Sequence, residues 1–438
     1  MRPLLLFTVL AFAFGSRASA QVPTPQTMAT IGVTALLAQD PTITGSGVDA
    51  VQGEATGGPG QFEVNPNRPA QPVSLFTWHS SSGSSGTFPN SVGSESDHAD
   101  FVSQSFYSST TGVAPGLSHV TNYEMNDFYS SVIQRQVALT APVVNQSFVF
   151  GTHDALVDLT YDDYIARYHS VIASAVGNGG PIYTPADCYN GLGVGAYGGQ
   201  SSTGPTADGR CKPDITAPSN VTSFSTPLVT GAAALLIQAG SRAGADATVA
   251  VDSRTVKALL LTGAVKPSGW THTAAAPLDH KYGAGVVNVF NSWTDLAAGR
   301  IPPVATGLAR NHLPLTNGTA VAAPRGWDYR TFVSSPSEHG VSHYRFTTSA
   351  TGALIATLVW NRQERRIKIN RLYLYLYDST GHLLASSTSI VDNVQHLYVA
   401  SLPPATYELE VLKVAGPIGA SGIVSTSETY ALAWDFER

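Results

Sequence analysis

The sequence predicts a two-part protein, in which an α/β domain with a mostly parallel sheet precedes an all-β sandwich domain. The first part alternates short apolar segments with helical patterns, which is typical of a parallel sheet covered by helices. Beyond about Gly299 the helical patterns end, and apolar and polar residues alternate with a period of two. That alternation indicates half-buried antiparallel strands. A chain of 438 residues is long enough for both cores.

The first twenty residues have the pattern of a signal peptide. Arg2 precedes the apolar segment PLLLFTVLAFAFG, and SRASA supplies small residues before Gln21. This order predicts cleavage after Ala20 and a secreted or extracytoplasmic protein. A membrane-bound signal anchor is the alternative. We expect no membrane span in the mature chain, because no later segment is long and apolar enough.

Ser223 is the candidate nucleophile, because the segment NVTSFSTP places it at the start of the apolar helix PLVTGAAALLIQAG. We expect Pro227 in the first turn of that helix, where a missing N–H costs nothing. The unpaired N–H groups of a helix start suit an oxyanion formed at Ser223. The alternative role for a serine at this position is a helix N-cap.

A serine hydroxyl needs a base, and the base needs a carboxylate that fixes its tautomer. Histidine suits the role of base because its ordinary pKa lies near neutral pH. A glutamate in the role of the carboxylate has one methylene more than an aspartate, and a bent rotamer or a shifted strand must absorb this added reach of about 1.5 Å. Asp49 is a poorer candidate for the carboxylate than Glu54, because it lies five residues earlier on the same predicted strand and points to the opposite face.

The chain resembles the subtilisin-like serine peptidases, or subtilases, from about Gly45 to Asn288. Five blocks occur in the order of that family: GSGVDAVQGEA, SDHADFVSQSF, VVNQSF, VIASAVGNGG and NVTSFSTP. The resemblance implies a three-layer subtilisin-like core with Ser223 as nucleophile, His98 as general base and Glu54 in place of the usual aspartate. It also implies that the side chain of Asn178 donates to the oxyanion. Ala99 and Val221 stand where the family commonly has glycine.

The resemblance further implies two substrate-binding edges and one disulfide. The substrate-binding residues are Ser147, Phe148, Val149, Ala175, Val176 and Gly177. Cys188 and Cys211 precede two strands that are adjacent in the family, GLGVGA and DITAP, at comparable offsets. We therefore expect a disulfide between them, and two buried free thiols are the alternative. Calcium sites are common in the family, but no loop places one here, and the chemistry requires no cofactor.

The second part predicts strands at YRFTT, ALIATLVW, RLYLYLYD and TYELEVLKV. In RLYLYLYD the leucines occupy one face, and Tyr373, Tyr375 and Tyr377 the other. This part resembles the jelly-roll-type domains that often follow bacterial subtilase cores. We place the signal peptide at 1–20, the catalytic domain at 21–299, a linker at 300–310 and the sandwich at 311–438.

The leading hypothesis is a secreted serine endopeptidase that hydrolyses protein or peptide substrates through an acyl-enzyme. Few residues are charged and the net charge is −6, so nucleic acid is not an expected partner. The alternative is a catalytically impaired subtilase-like scaffold that serves binding or adhesion. The sedolisin group is disfavoured, because it has a glutamate where His98 stands and an aspartate where Asn178 stands.

Overall fold

The structure is a computed structural model that describes residues 22–315, 323–416 and 426–436. The predicted signal peptide lies outside these ranges. The helices are α1 Pro25–Thr30, α2 Val33–Gln39, α3 Asp97–Phe106, α4 Met125–Asp127, α5 Ala155–Tyr168, α6 Thr222–Gly240, α7 Ala247–Ala250, α8 Ser253–Gly263 and α9 Val289–Ala297. None of the helices in the described ranges has the length and apolar character needed to cross a membrane.

The strands divide between the two predicted parts. Those of the first part are β1 Asp49–Glu54, β2 Gln61–Glu63, β3 Phe76–Ser80, β4 Gly83–Ser85, β5 Ser94–Glu95, β6 His119–Glu124, β7 Val143–Gln146, β8 Val171–Ala175, β9 Leu192–Tyr197 and β10 Ile215–Pro218. Those of the second part are β11 Ala305–Ala309, β12 Arg325–Val333, β13 His339–Thr347, β14 Gly352–Trp360, β15 Leu372–Asp378, β16 Leu383–Ser387, β17 Val394–Leu402, β18 Thr406–Lys413 and β19 Ser427–Asp435.

The first part contains an eight-stranded sheet in the order β10-β9-β8-β7-β1-β6-β3-β4. Neighbouring strands are parallel except β3 and β4, so the predicted α/β class is confirmed. The apolar helix α6 is buried along almost its whole length and packs on β7 to β10. The carboxyl ends of parallel strands meet at one edge of a sheet, which is where the ends of β1, β7 and β8 lie.

The second part is a sandwich of two antiparallel sheets, as predicted. The five-stranded sheet has the order β11-β13-β18-β15-β16, and the four-stranded sheet has the order β12-β19-β14-β17. Leu372, Leu374 and Leu376 face the core between the sheets, opposite the tyrosines of β15. The four-stranded sheet packs on α8 and α9 of the first part.

Residues 300–310, predicted as a linker, include a strand. Ala305–Ala309 pairs antiparallel with His339–Thr347 at the edge of the five-stranded sheet. Small residues such as Ala305 and Gly307 carry little periodic signal, so the sequence pattern did not identify this strand. The sandwich therefore begins inside the predicted linker.

The predicted disulfide is wrong: Cys188 and Cys211 are buried free thiols. The strands that follow them are parallel neighbours as expected, with Ile215 paired to Val194. This register places residue 190, rather than residue 188, opposite Cys211. In addition, the chain around Cys188 turns instead of extending. The two thiols consequently belong to different apolar clusters.

Candidate active site

The predicted base and carboxylate lie in contact at the edge where β1 ends. Glu54 is the last residue of β1 and is fully buried, and His98 is the second residue of α3. The distance from His98 Nδ1 to Glu54 Oε2 is 2.7 Å. The Ser96 side chain caps α3 by accepting a hydrogen bond from the N–H of Ala99. The glutamate therefore bridges strand and helix despite its extra methylene.

Gln52, which the sequence reasoning missed, completes the surroundings of Glu54. Its Nε2 donates to Glu54 Oε1 over 2.7 Å and to the carbonyl of Ala99 over 2.9 Å. The Tyr107 hydroxyl donates to Gln52 Oε1 over 2.6 Å. Each carboxylate oxygen thus has a partner. The signal was available, because Gln52 and Glu54 lie two residues apart and therefore share one face of the strand.

The contact with Glu54 raises the pKa of His98. Burial of the His98 ring lowers its pKa, but the charge and the hydrogen bond of the Glu54 carboxylate outweigh this, and the pKa is raised above its ordinary value. Asp100 is close to His98 in sequence, but its partners are other residues: it accepts a hydrogen bond from the N–H of Asn65 and forms an ion pair with Arg68. Burial raises the pKa of Asp100 to about 8.

Ser223 is the second residue of α6, at the helix start that was predicted. Val221 precedes the helix with φ −146°, an extended conformation in which a β-branched residue is unstrained. The expected position of Pro227 is wrong, because the helix begins at Thr222 and Pro227 lies in its interior. A proline there removes the N–H that would bond the Ser223 carbonyl four residues earlier.

Ser147 compensates for this missing hydrogen bond. Its hydroxyl donates to the Ser223 carbonyl over 2.8 Å, and the Ser223 hydroxyl donates to the Ser147 carbonyl over 3.3 Å. Asn145 Nδ2 donates to the Ser147 hydroxyl over 3.0 Å. These hydrogen bonds therefore connect the interrupted helix, at Ser223, to the residue that follows β7.

The ring of Phe224, beside Ser223, lies 5.9 Å from the ring of His98 between centroids. Phe224 also packs with Val102 and Val221 in a small apolar cluster. This cluster joins the starts of α3 and α6, so the two helices that carry the predicted base and nucleophile face each other.

Asn178 lies in the loop after β8, next to the start of α6. Its Oδ1 accepts hydrogen bonds from both the N–H and the hydroxyl of Thr222, each over 2.8 Å. Because Oδ1 is occupied in this way, the amide nitrogen is the part of the side chain that remains to donate to a ligand. Thr222 is a second residue that the sequence reasoning missed, although it adjoins Ser223.

The two predicted substrate-binding edges are neighbours. β7 and β8 are parallel, with Gln146 paired to Ser174, so the segments after these strands leave the sheet side by side. Gly177 has φ +100°, and a Cβ on it would approach Val149 to 3.9 Å and Ser202 to 2.9 Å. A side chain at Gly177 would therefore be strained and would crowd the Ser202 hydroxyl.

The remaining edge residues are mostly buried. Phe148 is 5% exposed and stacks edge-to-face on Phe150, with ring centroids 5.7 Å apart. Ala175 ends β8, and Val176 packs with Ile182 and Ala186. Val149 and Gly177 are the half-buried members of these two edges, and the other four predicted residues are enclosed by the fold.

One family model matches part of this chain. The family model described as "Subtilase family" matches residues 96–285, a range that contains His98, Asn178 and Ser223 but not Glu54.

Three solved peptidase structures match parts of this chain at low similarity. Tripeptidyl peptidase 2 is 14% identical over 78% of this chain, with a TM-score of 0.39, and the match spans only 40% of that longer protein. The patellamide maturation protease PatG is 16% identical over 63% of this chain and 99% of its own, with a TM-score of 0.43. A protease from Pseudoalteromonas arctica PAMC 21717 is 16% identical over 62% of this chain and 93% of its own, with a TM-score of 0.40.

Proposed function

We propose that this chain, whose residues 96–285 form a subtilase-type serine peptidase domain, is a secreted endopeptidase that works through an acyl-enzyme. The observation that carries the proposal is the 2.7 Å contact between His98 Nδ1 and a fully buried Glu54. A buried carboxylate on Nδ1 fixes the imidazole tautomer that leaves Nε2 free to accept a proton. A histidine held in this way is suited to general-base catalysis.

In the proposed reaction, the Ser223 oxygen attacks the carbonyl carbon of the scissile peptide bond while His98 Nε2 takes the hydroxyl proton. The bond to the amine then breaks, His98 returns the proton to the leaving nitrogen, and an ester to Ser223 remains. Water activated by the same histidine hydrolyses that ester. Glu54 stays ionised and stabilises the imidazolium in both steps.

The negative charge on the substrate oxygen is assigned to two groups. The Asn178 amide nitrogen is one donor, since its Oδ1 is fixed by Thr222. The second is the backbone N–H of Ser223 at the start of α6, because the neighbouring N–H groups of Thr222 and Phe224 donate to Asn178 Oδ1 and to the Val221 carbonyl. Loss of one such donor typically reduces kcat by about 10² to 10³.

The proposal is tested by labelling the secreted protein with a fluorophosphonate probe and by assaying an internally quenched peptide with both ends blocked. We expect labelling and cleavage of the wild type and neither in Ser223→Ala. Ser225→Ala is the matched control, because it removes a buried hydroxyl two residues away whose partner is the Thr222 carbonyl. It should retain both signals.

Absence of labelling in folded wild-type protein at every pH would contradict the proposal and favour a binding scaffold. Labelling without cleavage of the blocked peptide would retain the serine chemistry and exclude endopeptidase specificity. Amino-terminal sequencing of the secreted product tests the leader, and we expect it to begin at Gln21.

A further inference from the structure

A second histidine–carboxylate group lies behind the predicted substrate-binding edge. It comprises His153 in the loop before α5, Asp158 in the first turn of α5 and Asp187 between β8 and β9. His153 Nδ1 lies 2.5 Å from Asp187 Oδ2 and 3.6 Å from Asp158 Oδ2. Their ligand atoms all fall within 4.8 Å of one another. Two chain segments, residues 153–158 and the segment that carries Asp187, thus converge on one point.

The carboxylates of this group are buried and incompletely paired. Asp158 is 4% exposed and Asp187 is 1% exposed. Neither oxygen of Asp158 nor Oδ1 of Asp187 has a hydrogen-bond partner among the described residues. Burying two carboxylates side by side without donors is costly, and the single histidine compensates for at most one of their charges. The missing partner should therefore be a proton or a metal cation.

We propose that His153, Asp158 and Asp187 bind a divalent cation of the zinc type. One imidazole nitrogen with two carboxylates is a donor set for a borderline metal, whereas calcium prefers oxygen ligands alone. Ligand atoms around tetrahedral zinc lie about 3.4 Å apart. The 3.6 Å separation of His153 Nδ1 and Asp158 Oδ2 is close to this spacing, and the 2.5 Å contact between His153 Nδ1 and Asp187 Oδ2 would have to lengthen when the ion binds. His153 is 38% exposed and gives the ion a path from solvent.

The proposed ion would stabilise residues 150–154, which continue the predicted substrate-binding edge. The N–H of Phe150 donates to the Thr184 carbonyl over 2.8 Å, and the N–H of Thr184 donates to the Thr152 carbonyl over 3.2 Å. The N–H of Asp154 donates to the Thr184 hydroxyl over 3.0 Å. His153 and Asp187 adjoin these hydrogen bonds from either side, so an ion between them would close the loop that follows Val149.

The test uses full-length mature protein carrying Ser223→Ala, so that self-digestion does not interfere. After removal of metal by a chelator, ZnCl₂ is added, and binding is followed by calorimetry and by thermal unfolding. We expect saturable binding and a rise in the unfolding midpoint of about 3 °C at a 100-fold excess over the dissociation constant. Because the readout is binding to an inactive protein, failure here is distinct from failure of the peptidase proposal.

Variants locate the ion. Asp158→Asn, Asp187→Asn and His153→Gln should each abolish one binding event and its thermal shift. Asp154→Asn is the matched control, because it removes one charge four residues before Asp158 while an asparagine still caps α5. Glu410→Gln controls for the group formed by His343, Glu408 and Glu410 in the sandwich. Both controls should retain the event.

Equal binding by Asp158→Asn and Asp154→Asn would overturn the proposal, as would a complete lack of zinc binding by the parent protein. Loss of zinc binding in Glu410→Gln alone would assign the ion to the sandwich domain and would also overturn the proposal. Stabilisation by CaCl₂ but not by ZnCl₂ would refute the zinc assignment. If Asp158→Asn does not fold, the other two variants decide.

Discussion

Two of the histidine–carboxylate pairs in this protein have similar geometry and different completeness. His98 and Glu54 lie 2.7 Å apart, and His153 and Asp187 lie 2.5 Å apart. In the first pair, the amide of Gln52 occupies the second oxygen of Glu54. In the second pair, Asp158 brings another carboxylate and no further donor reaches it among the described residues.

This difference shows that a short histidine–carboxylate contact does not define a function. A satisfied carboxylate holds one tautomer of the imidazole and suits proton transfer. An unsatisfied pair of carboxylates has a strong affinity for protons or cations. The neighbours of the carboxylate, rather than the contact itself, separate the proposed base from the proposed ligand.

The sharpest way to break the comparison is to neutralise each pair in turn. Glu54→Gln should reduce kcat/KM by about 10⁴, because the amide stabilises the wrong tautomer and no longer supports the imidazolium. His153→Gln, with saturating zinc present or absent, should change kcat/KM by less than about tenfold, because it contacts no reacting group. Similar losses in the two variants would contradict the division of roles.

Shortening the side chain of Glu54 tests whether the contact with His98 requires a glutamate. Glu54→Asp keeps the charge but withdraws it by about one carbon–carbon bond from His98. A misplacement near 1 Å costs about 10² in rate, so we expect a loss of that order in kcat with little change in KM. An unchanged or higher rate would show that strand β1 adapts to either residue.

Gln52→Ala makes Glu54 resemble the incomplete pair, because it leaves Oε1 of a buried carboxylate without its donor. We expect the free energy of unfolding in urea to fall by about 1–3 kcal/mol. Tyr107→Phe, which removes only the hydroxyl that donates to Gln52, is the milder control and should cost about 1 kcal/mol. A larger loss for Tyr107→Phe than for Gln52→Ala would argue that Gln52 is not the element that completes Glu54.

The sequence predicted what depends on periodicity and chain order. The parallel strands and the antiparallel strand at RLYLYLYD follow local patterns, and the positions of Glu54 and His98 at element ends follow the order of motifs that resembles the subtilases. It did not predict what depends on register or on contacts across the fold. Such contacts explain three findings. Cys188 lies two residues away from the position opposite Cys211, Ala305–Ala309 forms an edge strand, and the Ser147 hydroxyl donates to the Ser223 carbonyl.

The smallest expected effect concerns the pH dependence of the complete pair. Glu54 raises the pKa of His98 against the opposing effect of burial. Only the neutral imidazole is a base, so the acid limb of kcat/KM in the wild type should have its midpoint above the ordinary histidine value of about 6.5. In Glu54→Gln the burial effect remains alone, and the midpoint of the residual activity should fall below that value.

The free energy of unfolding should also depend on pH through the titration of His98, but it should decrease as the pH rises, whereas activity increases. A histidine whose pKa is raised on folding contributes stability that is complete below its unfolded pKa and is lost as the pH rises through its folded pKa. The stability advantage of the wild type over Glu54→Gln should therefore be greater at pH 5 than at pH 9, as measured by urea unfolding in the Ser223→Ala background. An advantage that grows with pH would mean that Glu54 stabilises the fold through Gln52 rather than through the charge of His98.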